Sequence, residues 1–141
     1  MRHFFVDANI VIDFLADRKP FSENAARIFE MAALKYVKLY LSAVSFNNIY
    51  YIVRQTQNHN KTIEMLNKLA KVVEIIAVNN EIITKALSSD FNDFEDAIQN
   101  FSAESNPIIE AITTRDKKGF KNSTLPVFNP ESAISLLTSS F

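Results

Sequence analysis

Residues 3–13 have the sequence HFFVDANIVID. The apolar run from His3 to Val6 predicts a buried β-strand, and the mostly apolar residues from Ile10 to Leu15 predict a helix that follows Asp7 at once. In α/β sheets, ligands bind outside the carboxyl ends of the strands. We therefore expect Asp7 to lie at the edge of a sheet where such proteins bind their ligands.

Further strands and helices alternate along the rest of the chain. We predict strands at residues 37–41, 72–78, 108–113 and 126–128, and helices from residue 22, from Ser42 or Ser45, after a polar turn at 55–60, at 79–87, at 92–104 and from residue 130. This alternation favours an α/β fold, a three-layer α/β/α sandwich around a central, mostly parallel sheet, built as a single domain over residues 1–141.

The composition restricts the chemistry that is available. The chain has 141 residues, 48% of them hydrophobic, which suffices for one domain with a sizeable core. It has no cysteine, so carboxylates, asparagines and two histidines are the only plausible metal ligands. We expect a cytoplasmic protein without a membrane partner, because neither a secretory signal nor a run of membrane-spanning length is visible. At a net charge of −1, any nucleic-acid binding must rest on a local basic patch.

Two aspartates follow predicted strands. Asp7 comes directly after the first strand and Asp116 shortly after the strand that begins at Ile108, so both should emerge at the same edge of the sheet. A lone aspartate after a strand is more often a helix cap or a turn residue, and two at equivalent strand ends weaken that explanation. Carboxylates gathered in this way repel each other unless a cation neutralises them, which argues for a hard divalent metal.

A third acidic segment lies at residues 90–104 and contains no lysine or arginine. Some of its charges suit the N-terminal turn of a helix. On a helical wheel Asp93 and Asp96 share one flank, whereas Glu95 and Gln99 point elsewhere. The spacing does not rank Asp93 against Asp96, and one of the two is expected to face the metal.

Three motifs together resemble the PIN-domain ribonuclease family: DANIVID at residues 7–13, DFEDA at 93–97 and TTRD at 113–116. The resemblance runs nearly end to end and is strongest to the toxin-type, VapC-like branch. It implies a parallel five-stranded sheet and cleavage of RNA that depends on Mg²⁺ or Mn²⁺. It also implies a toxin–antitoxin pair in which an antitoxin protein is the partner.

By this resemblance, Asp7, Asp96 and Asp116 match the family's acidic, metal-binding catalytic positions, with Asp93 as an assisting neighbour. Family members usually carry a glutamate early in the helix after the second strand, and Asn48 takes that place here. An asparagine offers a carbonyl oxygen without negative charge, so it would be a weak ligand. We expect the exchange to lower the affinity for the metal.

Polar neighbours could orient the ligands and hold RNA. The amide of Asn9 and the hydroxyl of Thr114 could hydrogen-bond the metal ligands, although both could equally be ordinary turn or capping groups. A basic rim beside Asp116 suits an RNA backbone, and the alternative is a solvated turn; its members are Arg115, Lys117, Lys118 and Lys121. Apolar helices with Tyr50 and Tyr51 would allow a homodimer.

Two other functions remain open. A catalytically silent PIN-like module that binds RNA or a protein partner is favoured by Asn48. A flavodoxin-like or response-regulator-like domain would also hold Mg²⁺ through aspartates at strand ends. We find no convincing strand-end lysine and acceptor aspartate for that second alternative.

Overall fold

The computed structural model describes residues 1–139, so the last two positions of the predicted 1–141 domain lie outside the described residues. Its strands are β1 (Arg2–Val6), β2 (Val37–Ser42), β3 (Val73–Ile76), β4 (Ala111–Thr113) and β5 (Val127–Phe128). Its helices are α1 (Ala8–Leu15), α2 (Ser22–Ala33), α3 (Ala43–Val53), α4 (His59–Val72), α5 (Asn80–Leu87), α6 (Phe94–Glu104) and α7 (Pro130–Thr138). A 3₁₀ turn covers Lys117–Phe120.

The strands form one sheet in the order β3-β2-β1-β4-β5, and every pair is parallel. This confirms the predicted five-stranded parallel α/β fold. The chain runs outward from β1 in both directions, first to β2 and later to β4, so the strand order reverses beside β1. Val6 pairs with Thr113 at the carboxyl ends of β1 and β4. The residues that follow these two strands therefore emerge together at this reversal.

Helices cover both faces of the sheet. Phe4 and Leu39 point to one face and pack in a cluster with residues of α1, α2, α3, α4 and α7. Phe5 and Ile112 point to the other face, where they pack with Ala103 of α6. Successive residues of a strand alternate between the two faces, so the apolar runs of β1 and β2 fill both clusters. The result is the predicted α/β/α sandwich.

Several observed elements are shorter than predicted, among them β3, β4 and β5. β4 begins at Ala111 instead of Ile108, because the Asn106 side chain accepts a hydrogen bond from the Ile108 amide and holds a turn there. α6 begins at Phe94 instead of residue 92, and Phe94 is 49% exposed. Within residues 1–139, no helix combines the length and the apolar character needed to cross a membrane.

Candidate functional site

Asp7 is a buried carboxylate at the carboxyl edge of β1. It caps α1 and is only 2% exposed. Its Oδ2 accepts a hydrogen bond of 2.6 Å from the hydroxyl of Thr114, and its Oδ1 accepts one of 3.2 Å from the backbone amide of Asn9. Burial raises the pKa of Asp7, while these hydrogen bonds act to lower it. The carboxylate thus receives hydrogen bonds from neutral donors only, which do not balance its charge.

Thr114 connects Asp7 to Asp116. Its buried hydroxyl donates to Asp7 and accepts a 3.0 Å hydrogen bond from the backbone amide of Asp116. Asp116 is exposed and caps the 3₁₀ turn by accepting from the amide of Gly119 at 3.2 Å. The residue after β4 therefore joins the carboxylate of Asp7 to the backbone of Asp116, which is far from it in sequence. Thr114 has the contact that its predicted orienting role requires, whereas Asn9 touches Asp7 through its backbone and its side chain is exposed.

Asp96 and Asp116 converge beside Gly119, the chain's only glycine. A Cβ added to Gly119 would lie 2.6 Å from Asp96 Oδ2 and 2.7 Å from Asp116 Oδ2. Gly119 does not have a positive φ, so the backbone conformation does not require glycine. What the missing side chain provides is an open space between two carboxylates.

The structure separates the two rival aspartates of α6. Asp93 caps the helix and accepts a hydrogen bond of 2.9 Å from the amide of Asp96. Asp96 is half-buried and has its carboxylate next to that of Asp116. Desolvation by burial, followed by repulsion from Asp7, Asp93, Asp116 and Glu95, raises the pKa of Asp96 from 3.8 to about 7. Asp96 is thus the centre of the acidic cluster, and Asp93 is a contributor at its edge.

Glu95 also belongs to this cluster, and the wheel prediction that it points elsewhere is wrong. Burial and then repulsion from Asp7 and Asp93 raise the pKa of Glu95, while a side-chain hydrogen bond with Asn48 lowers it. Asn48 thus lies next to a carboxylate of α6. A wheel gives directions around one helix only, and the packing of α3 beside this flank of α6 is a tertiary feature that spacing does not reveal.

Gln99 is the second residue for which the wheel prediction is wrong. Its side chain is 2% exposed, and its Oε1 accepts a hydrogen bond of 2.9 Å from the backbone amide of Ala8. A longer contact of 3.5 Å comes from the hydroxyl of Ser45. The Gln99 side chain also acts to lower the pKa of Asp7, which it neighbours. A polar residue within an apolar stripe was the only signal in the sequence that could have marked it.

The predicted basic rim divides into two parts. Lys118 and Lys121 line a cleft of about 250 Å³ together with Asp93, Asp96 and Asp116. Arg115 instead donates to Asp13 through Nε at 2.6 Å and through Nη2 at 3.1 Å, and its guanidinium lies 3.9 Å from the centre of the Phe21 ring. Lys117 is exposed on the 3₁₀ turn and does not line this cleft.

The sequence profile of the PIN domain family matches residues 3–118. The chain belongs to the PIN domain family. A comparison with curated protein sequences gives no match.

Solved structures show the same PIN fold at low sequence identity. The structure of VapBC2 from Rickettsia felis bound to a promoter DNA fragment is 16% identical, with a TM-score of 0.63 over 90% of this chain and 98% of that one. FitAcB from Neisseria gonorrhoeae is 20% identical, with a TM-score of 0.60 over 91% of this chain and 98% of that one. VapC20 of Mycobacterium tuberculosis, a sarcin–ricin loop cleaving toxin, is 17% identical, with a TM-score of 0.60 over 77% of this chain and 86% of that one.

The donor set of this PIN domain suits a hard divalent ion. Among residues 1–139, no three acidic or histidine side chains lie close enough together to form a ready-made metal cage. Mg²⁺ keeps several of its waters and usually takes only one or two carboxylates. Asp96 and Asp116, with the space beside Gly119 between them, satisfy that requirement.

Proposed function

We propose that this PIN domain is an endoribonuclease that hydrolyses RNA phosphodiesters with Mg²⁺ or Mn²⁺, as the toxin of a cytoplasmic toxin–antitoxin pair. Asp7, Asp96 and Asp116 would hold the metal, and Asn48 would be a weak neutral ligand beside them. Asp93 would assist from the edge of the cluster. The observation that carries the proposal is the concentration of carboxylates around Asp96, whose pKa is raised to about 7 by burial first and then by repulsion from four neighbouring acids.

Lys118 and Lys121 line the same cleft but form no ion pair with these carboxylates within the described residues. None of the ion pairs formed within residues 1–139 includes Asp7, Asp96 or Asp116. Carboxylates kept together without a partner raise the free energy of the folded protein. A bound divalent ion would remove that cost, which supports a metal site at this place.

The residues of the chain have separate tasks in this proposal. When bound, the metal would supply an activated water and neutralise charge on the phosphate that is attacked. Thr114 holds the Asp7 carboxylate and the Asp116 backbone in fixed relative positions. Lys118 and Lys121 line the cleft and would attract the phosphate backbone toward the acidic centre. Lys117 would add to this attraction from the neighbouring turn, while Arg115 could contact RNA only while it also holds Asp13.

The direct test is cleavage of labelled RNA with Mg²⁺, with Mn²⁺ and with a chelator. We expect cleavage only with metal, and a loss of about a hundredfold or more in Asp7→Asn and Asp116→Asn, the scale seen when one group that stabilises the transition state is removed. Asp90→Asn is the matched control, because Asp90 is an exposed acid that does not line the cleft. Cleavage in chelator, or cleavage unchanged in both site variants, would refute the proposed mechanism.

An antitoxin partner is supported by the solved structures that share the fold, since several of them are VapBC or FitAB complexes. An apolar groove of about 530 Å³ between α1, α2 and α4 offers a surface for such a protein; its lining includes Phe14, Phe29, Met65, Leu69 and Val72. The test is expression in a host cell. Growth arrest by this chain alone, relieved by co-expression of the product of a neighbouring reading frame, would support an antitoxin partner. A protein that is harmless when active and expressed alone would contradict it.

A homodimer is proposed from the exposed apolar side chains on α3 and α5. Tyr51 is 63% exposed and Leu87 is 71% exposed. Light scattering of the purified chain at micromolar concentration tests this state. A monomer at that concentration would refute it.

The second candidate function is a catalytically silent domain that binds RNA or a protein partner. Asn48 favours it, because a neutral residue takes the place where the family resemblance implies a glutamate. Absence of cleavage with every metal, together with retained binding of RNA or of a partner, would support this alternative over the nuclease.

A further inference from the structure

Gln99 lies where the three elements around Asp7 meet. It is on α6, one turn after Asp96, and residues three apart on a helix are neighbours on its surface. Its Oε1 accepts a hydrogen bond of 2.9 Å from the backbone amide of Ala8, the first residue of α1. The hydroxyl of Ser45 on α3 lies 3.5 Å from the same oxygen. One side chain therefore contacts the elements that carry Asp7, Asp96 and Asn48.

The donors around Gln99 determine the orientation of its carboxamide. The Ala8 amide can only donate, so the group that faces it must be the oxygen of the carboxamide. The nitrogen is then the group of Gln99 through which its side chain acts to lower the pKa of the neighbouring Asp7. Asp7 accepts hydrogen bonds from two neutral donors, the Thr114 hydroxyl and the Asn9 backbone, and Gln99 bonds the next residue, Ala8.

A polar side chain at this position needs an explanation. Gln99 is 2% exposed, and it directly follows the buried apolar residues Ala97 and Ile98 on α6. A buried amide costs free energy unless its donor and acceptor atoms are both hydrogen-bonded. Filling space alone would be done better by methionine, which has a similar volume and no polar atoms to satisfy. The oxygen of the amide is used here on the first residue of α1, directly beside Asp7.

We propose that Gln99 is a positioning residue of the metal site: by fixing the first residue of α1 against α6, it holds the adjacent Asp7 in place. This inference rests on the proposed function, because it assumes that Asp7 binds the metal. Groups that orient metal ligands by hydrogen bonds typically change metal affinity by 10–100-fold when they are lost. Gln99 itself does not touch the metal or the RNA in this proposal.

The test is a calorimetric titration of the full-length chain with Mn²⁺, comparing wild type with Gln99→Met. We expect binding to be about tenfold weaker in Gln99→Met, with cooperative unfolding retained. If Gln99→Met does not fold, Gln99→Asn is the second variant. It keeps a buried amide but is one methylene too short to reach Ala8, so it should also weaken Mn²⁺ binding. Ser102→Ala is the matched control: Ser102 is a fully buried polar residue of α6 whose hydroxyl bonds only the Ile98 carbonyl.

RNA cleavage distinguishes positioning from a purely structural role. A positioned ligand that is only misaligned can still bind metal, so saturating Mn²⁺ should restore cleavage in Gln99→Met to within about twofold of wild type, while Asp7→Asn stays inactive. Unchanged Mn²⁺ affinity in a folded Gln99 variant, or cleavage that metal does not restore, would overturn the inference alone. No Mn²⁺ binding by wild type would overturn the proposed function as well.

Discussion

Two buried aspartates lie near the two ends of helix α1 and have opposite electrostatic surroundings. Asp7, before the first turn, is 2% exposed, and Asp13, in the last turn, is 1% exposed. Asp13 is held by two nitrogens of Arg115 at 2.6 and 3.1 Å, whereas Asp7 receives neutral donors only. Equal burial therefore does not mean an equal role. A carboxylate with its own guanidinium holds the fold together, and one without a cation is suited to an external one.

The loop after β4 serves both aspartates. Thr114 bonds Asp7, and the next residue, Arg115, bonds Asp13. The Asp13–Arg115 ion pair therefore anchors to α1 the loop that contains Asp116. The charge of Asp7 has no such partner and is available to bind an external cation. Removing one partner of a buried pair leaves an uncompensated charge, which is strongly destabilising.

The largest expected effect is at the paired aspartate. Asp13→Ala should lower the free energy of unfolding by about 3 kcal/mol, because Arg115 loses the partner it was buried against. Urea denaturation measures this change, with Asp90→Ala as the exposed control. A loss below about 1 kcal/mol would mean that the pair contributes no more than a surface ion pair does.

The acidic cluster around Asp96 has no paired cation, so an added negative charge should change both its metal affinity and the stability of the protein. Asn48→Glu adds a sixth carboxylate to the acidic cluster, beside Glu95, so we expect Mn²⁺ to bind about tenfold more tightly and the metal-free protein to be less stable. Asn47→Glu adds the same charge at the exposed neighbouring position and is the control. Equal Mn²⁺ affinities of Asn48→Glu and wild type would show that Asn48 does not face the metal.

The pH dependence of stability should also reflect the repulsion among the carboxylates around Asp96. The pKa of Asp96 is raised from 3.8 to about 7, so the folded protein holds this proton more tightly than the unfolded chain. The resulting stability is fully present below pH 3.8 and is lost as the pH rises through about 7. Asp96 is half-buried, and solvent screening limits the change to about 1 kcal/mol. Denaturation of the metal-free protein from pH 4 to 8 measures it, and Asp96→Asn should flatten the profile. A profile that rises over this range would contradict the assignment.

The smallest effect concerns the basic rim. Lys118→Gln and Lys121→Gln should each weaken RNA binding about two- to threefold and reduce the salt dependence by about one phosphate contact. Fluorescence anisotropy at several salt concentrations measures both quantities, and Lys71→Gln on α4 is the control. If Lys71→Gln weakens RNA binding as much as the two cleft variants do, the RNA backbone does not lie in this cleft.

The sequence predicted the features that local pattern determines. The strand-to-helix passage at Val6 and Asp7 has its own signal, and the parallel order places Asp116 at the same edge. Which side chains of α6 face the site was not predictable, because a wheel lacks the position of α3. Asp13 and Arg115 are 102 residues apart, and Arg115 was instead predicted to hold RNA. That Asp93 caps α6 while Asp96 lies beside Asp116 was also not visible in the spacing.

The comparison between the two ends of α1 is tested most directly by the Mn²⁺ affinities of wild type, Asp7→Asn and Asp13→Asn, measured by calorimetry at a temperature where all three are folded. Removing the charge of an unpaired carboxylate should remove a metal ligand, and removing that of a paired one should not. We predict that wild type and Asp13→Asn bind Mn²⁺ with affinities within about threefold of each other and that Asp7→Asn binds at least about tenfold more weakly. Equal affinities of Asp7→Asn and wild type, or no binding by wild type, would contradict this account.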